Sequence, residues 1–492
     1  MTDIVIIGGG AAGAAVFVAL LRQGSYGRTV HWVAGHDAAG RGVAYSTTDE
    51  RHLLNVRASG MGLHADREGD FVDYASRQRP NVHATDFLPR CLFGDYVTDQ
   101  LQTHIEAARK IQRPFSIHAA EVVGIEPGDG GYRVLLDDGQ TLQAGSVVLA
   151  VGALSPRPLR TVSANALASG AYELDPWSLV RRSAVPRRVL VIGTGLTAVD
   201  TLLAAARRWP GAELVAVSRH GLLPFVHPPF PLGPYPGQAK LNAALLASRG
   251  VRSMLRCFRD TLRTTPQVDW RTLVDGMRPV NARLWQKLTL AQRKQFLHHL
   301  RWLWEASRHR TAPQTAQAIE QLRDEGRLQV HAARVLGVDG TGPLDVTLRS
   351  RASQVMTTLR ADLVVQATGL DTAVAYTQHP LLSQLLRDGL ATADPLQLGV
   401  AAQPDGRLFD AHGTVQPGLY AIGSLLRGNL WECTAMPEIR VAAQALAACL
   451  AEGPEPPASG TAGTDPLPAD SHADAPTTIR HNDMAIGGFA RV

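Results

Sequence analysis

Two stretches constrain this chain more than anything else in it: IVIIGGGAAG at residues 4–13 and VLVIGTGLTA at residues 189–198. In each, four apolar residues run into Gly-x-Gly-x-x-Gly/Ala and then into a helical pattern, which is how a strand meets a dinucleotide-binding turn. Gly8 and Gly193 permit the tight turn, Gly10 and Gly195 let backbone approach a diphosphate, and Gly13 and Ala198 let helix and strand pack closely. The diphosphate then sits at the helix N-terminus, where free N–H groups and the dipole favour it. One such turn arises easily for packing alone. Two, 185 positions apart, predict two dinucleotides in one chain; a pair of ligand-free packing turns is the alternative.

An internal echo supports two units. HAAEVVGIEP begins at His118 and HAARVLGVDG at His331, and each leads through a Gly-rich reversal into short alternating segments, Tyr132–Leu136 and Leu344–Leu348. Each unit closes on an apolar run ending in glycine, SVVLAVG at 146–152 and DLVVQATG at 362–369. A strand buried on both faces of a parallel sheet reads this way. At 492 residues the chain also exceeds what one core supports. The prediction is an α/β fold with two Rossmann-like dinucleotide-binding domains. The first comprises 1–155 and 361–450, and the second 186–360. A Pro-rich loop, LLPFVHPPFPLGPYPG, opens a helical insertion at 221–325 in the second domain. From 452 to 492 the composition has few large apolar side chains and predicts disorder.

The net charge of +5 comes from arginine, since only Lys110, Lys240, Lys287 and Lys294 are lysines among 49 basic residues. That charge is spread along the chain, which points to anionic small molecules and away from nucleic acid. The four cysteines are far apart with no CxxC pair, so neither zinc nor a disulfide framework is expected. His298 and His299 are adjacent on a helical stretch and face different ways, poor geometry for a metal. The longest apolar run, Ala14–Leu21, is too short to span a bilayer, and a cytoplasmic location without membrane association is expected. Arg308, His309 and Arg310 read either as contacts to an anionic substrate or as helix C-terminal cations.

The second turn's coenzyme follows from charge. The strand after it ends at Ser218-Arg219-His220, with no carboxylate to claim a ribose 2′-hydroxyl. A guanidinium there can bond a 2′-phosphate with two N–H groups. NADPH is therefore the expected donor, held by Ser218 and Arg219; a solvated strand-end arginine is the alternative.

The N-terminal turn, the nested second turn and Ala367-Thr368-Gly369 resemble the two-dinucleotide-binding flavoproteins that include flavin-containing and N-hydroxylating monooxygenases. More specifically, GRGVAYS at 40–46, HLLNVRASGM at 52–61, PRCLFGDY at 89–96 and GSLLRGNLWECTAMPEIR at 423–440 resemble one FAD/NAD(P)-binding group. That group contains YdhS-like proteins and is similar to the urate hydroxylase and aspartate N-hydroxylase type. The resemblance spans about residues 1–450. It implies that Gly8, Gly10 and Gly13 hold an FAD diphosphate and that Arg41 and Gly42 pass along the flavin. Thr368 and Gly369 would border the cofactors, and Gly423 and Ser424 the ribityl chain. The helix near Pro437 would aim its positive end at the flavin pyrimidine. Asn55 looks like the asparagine that related monooxygenases set beside the reactive flavin edge; an ordinary loop asparagine is the alternative.

Two departures stand out. The place of the acid that normally accepts the adenosine ribose holds Ala34, and the nearest acid is Asp37. If Trp177 closes the Baeyer–Villiger pattern, Leu167, Ser169 and Glu173 replace its Phe, Gly and His, so ketone oxidation is not expected. What the resemblance implies is hydride transfer from NADPH to FAD. A C4a-peroxyflavin formed with molecular oxygen would then hydroxylate a small nitrogenous or aromatic substrate. The alternatives are an FAD-dependent NAD(P)H oxidoreductase without oxygen insertion, and a non-catalytic nucleotide-binding protein whose insertion is an interaction surface.

Overall fold

The computed structural model describes residues 3–24, 27–36 and 39–452, without the side chains of residues 180 and 181. The first unit opens with β1 (Ile4–Ile7), the helix Ala11–Gln23, β2 (Val30–Val33) and, beyond the helix Arg90–Lys110, β3 (Phe115–His118). An antiparallel excursion follows, β4 (Val122–Gly128), β5 (Gly131–Leu136) and β6 (Thr141–Ala144), before β7 (Ser146–Leu149) returns beside β1. After β8 (Tyr172–Glu173) the plan repeats with β9 (Arg188–Ile192), the helix Leu196–Arg208 and β10 (Glu213–Ser218). Then come β11 (Leu328–Asp339), β12 (Leu344–Ser350), β13 (Met356–Ala361) and β14 (Leu363–Gln366). β15 (Arg407–Phe409) and β16 (Val415–Ala421) rejoin the first sheet.

Among the described residues the strands form a sheet in the order β15-β16-β7-β1-β2-β3, a second in the order β13-β12-β11-β10-β9-β14-β8, and the small sheet β4-β5-β6. β1 and β9 each lie between parallel neighbours, Ile4 opposite Val30 and Ser146, Val189 opposite Leu214 and Leu363. All four residues of β1, β7 and β14 are buried, as expected of a sheet covered on both faces. The predicted α/β fold with two Rossmann-like units is the observed one. The two echoed segments are built differently. Residues 119–121 interrupt the first copy, so its hairpin leaves the main sheet. The second copy runs on as β11, parallel to β10 through Ala332 and antiparallel to β12 from Ala333.

Steric contact fixes both turns. Gly8 has φ +121°, and a Cβ there would stand 2.4 Å from Ala150 O; Gly193 has φ +134°, and its Cβ would stand 2.2 Å from Ala367 O. The residues that immediately follow β7 and β14 therefore underlie the two turns in equivalent ways. Trp32 Nε1 donates to Gly8 O at 3.0 Å and stacks on Phe17 of the first helix, ring centroids 5.0 Å apart.

Between Gln238 and Arg308 the insertion builds its own apolar core, with Leu241, Leu245, Phe258, Trp270, Leu273 and Leu284 buried together. The helix Pro313–Asp324 packs elsewhere: Ile319 and Leu322 join Val199 and Leu202 under the second sheet. It serves as the crossover helix that a parallel β10–β11 connection requires. The tail expected to be disordered lies, from residue 453 on, outside the described residues. No helix among the described residues is long and apolar enough to cross a membrane.

Candidate active-site cleft

Both turns lead into helices whose N-caps are glycines, Gly10 and Gly195, with no side-chain cap on the first-turn N–H groups. Such a terminus is a ready acceptor for an anion. Around the first turn the chain folds over itself. Gly40 N–H donates to Gly9 O at 2.7 Å, and Gly42 Cα stands 3.9 Å from where a Cβ on Gly10 would be. Arg41 is held by Asp95, Nη2 to Oδ1 2.5 Å. Gly423 and Ser424 close the far side: Gly423 O accepts Cys433 Sγ–H at 3.1 Å, while Ser424 Oγ is buried without a partner. A glycine cradle with an unpaired hydroxyl beside it fits a diphosphate followed by a polyol chain.

The end of β2 carries Ala34, as expected, and Asp37 lies outside the described residues. The sequence reading missed Glu121. From the segment between β3 and β4 it brings Oε1 to 2.8 Å from where a Cβ on Gly35 would stand, so a carboxylate reaches this strand end.

A cleft of about 370 Å³ opens at the second turn and gathers most of the remaining candidates: Asn55, Gly193, Gly195, Ser218, Arg219, Thr368 and Gly369 all line it. Ala198 does not; it is fully buried in the core under β9, in the packing place that the third turn position demands. Among the described residues, nothing beyond the adjoining backbone comes within 4 Å of a Cβ on Gly195. Thr194 Oγ1 lies 2.7 Å from Leu222 O and 2.8 Å from Ser218 Oγ, and Ser218 Oγ also accepts the Gly221 N–H at 2.9 Å, so these hydroxyls brace the strand end.

Beyond Ser218 the surface is basic. Arg219 is exposed, Arg351 Nη1 lies 2.8 Å from His220 Nδ1, and His220 stacks on Trp302 at 4.1 Å. Burial, then Arg351 and Arg219, press the His220 pKa down to about 4. A neutral ring flanked by two guanidiniums suits a phosphate. Arg351 and Trp302 carried no sequence signal because they arrive from distant segments.

Asn55 belongs to the first unit yet faces the second turn, and the contacts that hold it there cross between the units. Its carbonyl accepts His227 Nε2–H at 3.0 Å, and Arg57 Nη2 donates to Pro228 O at 2.7 Å. Burial, followed by the charge of Arg310, pushes the His227 pKa down to about 4, so the ring stays neutral and donates from Nε2.

The opposite wall is charged but balanced. Arg278 grips Glu438 at 2.5 and 2.9 Å, Arg308 Nε meets Glu432 at 3.1 Å, and Arg427 Nη2 meets Glu305 at 2.5 Å. Arg308 is thus paired, though it lines the cleft with His309. Arg310 is buried and paired with Asp275, away from it. The helix Met436–Glu452 starts at this wall, so its positive end faces the cleft, with Glu438 in its first turn. Cys433 stands in the cleft as a lone thiol. Burial pushes its pKa up to about 12, and the four cysteines of the chain are all free.

Fold and site together define a two-dinucleotide architecture with the cleft between its units. Residues 5–154 match the model of a family described as FAD-NAD(P)-binding. No curated protein sequence matches the chain. Among solved structures the chain is similar to the ornithine N-hydroxylase of Kutzneria sp. 744. That likeness is 17% identity over 92% of this chain and 99% of that chain, with a TM-score of 0.61. It is also similar to the cadaverine monooxygenase of Erwinia amylovora, at 14% identity over 96% and 100%, TM-score 0.61. The ornithine hydroxylase of Pseudomonas aeruginosa follows at 16% over 92% and 99%, TM-score 0.58. These likenesses establish a shared fold along nearly the full length of each partner.

Proposed function

We propose that the protein is an FAD-dependent, NADPH-using monooxygenase acting on a small nitrogenous or aromatic substrate. The observation that carries the reading is the composition of the cleft: Asn55 of the first unit and the Gly195 turn of the second face one space, and the cysteine there is a single protonated thiol. A disulfide-reducing flavoprotein needs a pair of thiols to relay electrons. This cleft offers none among the described residues. The Kutzneria ornithine N-hydroxylase was solved with reduced FAD, NADP⁺ and L-ornithine, which supports the same cofactor pair here.

In this reading Gly8, Gly10, Gly13, Arg41, Gly42, Gly423 and Ser424 hold FAD. Gly193, Gly195, Ser218, Arg219, Thr368 and Gly369 hold NADPH, and Ala198 packs the second turn. FAD, when bound, accepts hydride from NADPH and passes the electrons to dioxygen. One oxygen atom enters the substrate and the other leaves as water, with NADPH and one proton consumed. The chain supplies position and a fixed polar environment. The Asn55 amide offers a hydrogen bond at the cofactor edge, His227 keeps its loop in place, and the paired Arg–Glu wall presents no unneutralised charge. Reaction at nitrogen or an electron-rich ring needs no further acid–base pair.

NADPH-dependent oxygen consumption, measured with and without candidate amines and phenols, tests this. One hydroxylated product per NADPH is the expected result with the right substrate. Hydrogen peroxide equal to NADPH under every substrate condition would instead indicate an oxidase or reductase. Nucleotide binding without NADPH oxidation would indicate a non-catalytic protein.

A further inference from the structure

Behind the cleft lies a second cavity, of about 150 Å³, that the proposed chemistry does not use. It sits inside the helical insertion, walled by apolar side chains such as Leu245, Met254, Phe258, Leu284 and Phe296. One helix separates the two spaces. Along Arg301–Arg308, Glu305, Ala306 and Arg308 line the cleft, while Leu303, Trp304 and Ser307 line the cavity.

Trp431 borders both spaces. It occupies φ +62°, ψ −62°, and Glu432 N–H donates to Leu430 O at 2.8 Å, which makes it the centre of a γ-turn that bulky residues seldom adopt. That turn stacks its ring on Trp285 at 4.9 Å and sets it edge-on to Phe296 at 5.3 Å. Unusual backbone of this kind concentrates at ligand clamps.

Two polar groups on the cavity wall are unsatisfied. Asn281 and Ser307 are 5% and 4% exposed, and Asn281 Oδ1 and Ser307 Oγ have no hydrogen-bond partner. Buried polar atoms are nearly always paired, so two orphans on one apolar wall ask for a donor. An apolar pocket of this volume has room for one benzene-sized ring.

We infer that this cavity binds a single aromatic ring, or an equally compact apolar group, carrying one N–H or O–H donor. The ring is either part of the substrate or a separate small molecule. In both cases it braces Trp431 and the helix Arg301–Arg308 from behind, so that occupancy is felt in the cleft. This inference goes beyond the proposed activity and does not depend on it.

Calorimetric titration of the full chain, loaded with FAD, tests it with phenol as the probe and toluene and 1,5-diaminopentane as comparators. Phenol binds saturably, one per chain and about fivefold more tightly than toluene, the value of one net hydrogen bond. The diamine does not compete for this compartment. Ser307→Ala brings phenol and toluene closer together, and Met254→Trp, which fills the space, removes both. A thermal scan of each variant separates loss of the site from loss of the fold, and Ser307→Ala carries the test if Met254→Trp does not fold. NADPH oxidation in the same titration tells the two sources apart. A substrate ring raises turnover as it is consumed, whereas a separate molecule changes the KM for a cleft substrate and is recovered intact. Absence of saturable phenol binding, or unchanged phenol binding by folded Met254→Trp, overturns the inference. A protein that binds phenol but retains no flavin overturns the proposed function and leaves this site standing.

Discussion

The two nucleotide turns can be told apart from packing turns by substituting their glycines one at a time, because the structure gives each glycine a different reason. Gly195 has φ −78° and ψ −172°, a conformation open to any residue, and among the described residues no heavy atom beyond the adjoining backbone lies within 4 Å of a Cβ built on it. Gly195→Ala therefore costs the fold nothing. It removes some freedom from the unfolded chain, so stability is expected to stay level or rise by up to about 1 kcal/mol. The new methyl points into the space that a diphosphate would occupy. Forcing one methyl into a tight contact costs about 1–3 kcal/mol, so NADPH affinity is expected to fall roughly 5- to 150-fold, with FAD content unchanged. Gly193→Ala is the control. Its methyl would sit 2.2 Å from the Ala367 carbonyl at φ +134°, so that variant loses stability and every ligand together. The assays are a thermal scan, flavin absorbance and NADPH titration by fluorescence. Gly195→Ala that keeps NADPH affinity within twofold would refute the assignment and leave the second turn as packing alone.

Other consequences follow from the same contacts. Arg219→Ala should weaken NADPH by about tenfold and leave NADH nearly unchanged, the low end for a charge-assisted bond because Arg351 stands nearby; equal losses for both would make Arg219 structural. Asn55→Ala should keep flavin reduction by NADPH within a few-fold yet lower the yield of product per NADPH, with hydrogen peroxide making up the difference. His227→Phe keeps the ring beside Phe87 but deletes the donor to the Asn55 carbonyl, so it should reproduce that uncoupling at a stability cost of about 1 kcal/mol. His104 is pressed down to about 4, first by burial and then by His64, and His227 and His220 are pressed down to about 4 as well. Their neutral forms belong to the folded state. The stability they contribute is complete above the ordinary histidine range and is lost as pH falls from about 6.5 towards 4. Urea midpoints at pH 7.5, 5.5 and 4.5 should decline in that order, and His104→Gln should flatten the decline.

What the sequence made legible is what the chain builds locally. A diphosphate cradle is one strand end, one turn and one helix start, so its glycines lie within a few residues and their spacing carries the meaning. The buried closing strands were readable for a similar reason, because a strand covered on both faces has no polar alternation. The surroundings of the two turns are assembled across distance. Arg351 comes from the β12–β13 reversal, Trp302 from the insertion and Glu121 from the segment after β3; each is an ordinary residue in its own neighbourhood. The Arg308-His309-Arg310 run shows the limit most plainly. Local reasoning left it as anion contact or helix-end cations. Its fate was set by Glu432, more than a hundred residues on, and by Asp275 across the insertion.

The two turns match in sequence and differ in what covers them, and that difference bears on how the proposed cofactors would behave. Gly10 faces Gly42, the loop at Gly40 is bonded back onto Gly9, and Gly423 and Ser424 close the other side. A dinucleotide in that place is wrapped by segments from three parts of the chain, and its release requires several of them to part. Gly195 faces the open cleft, bordered by exposed Arg219 and Arg351. Under the proposed function, the first turn is expected to retain its dinucleotide and the second to exchange it, the arrangement that a reaction consuming one dinucleotide and retaining the other requires.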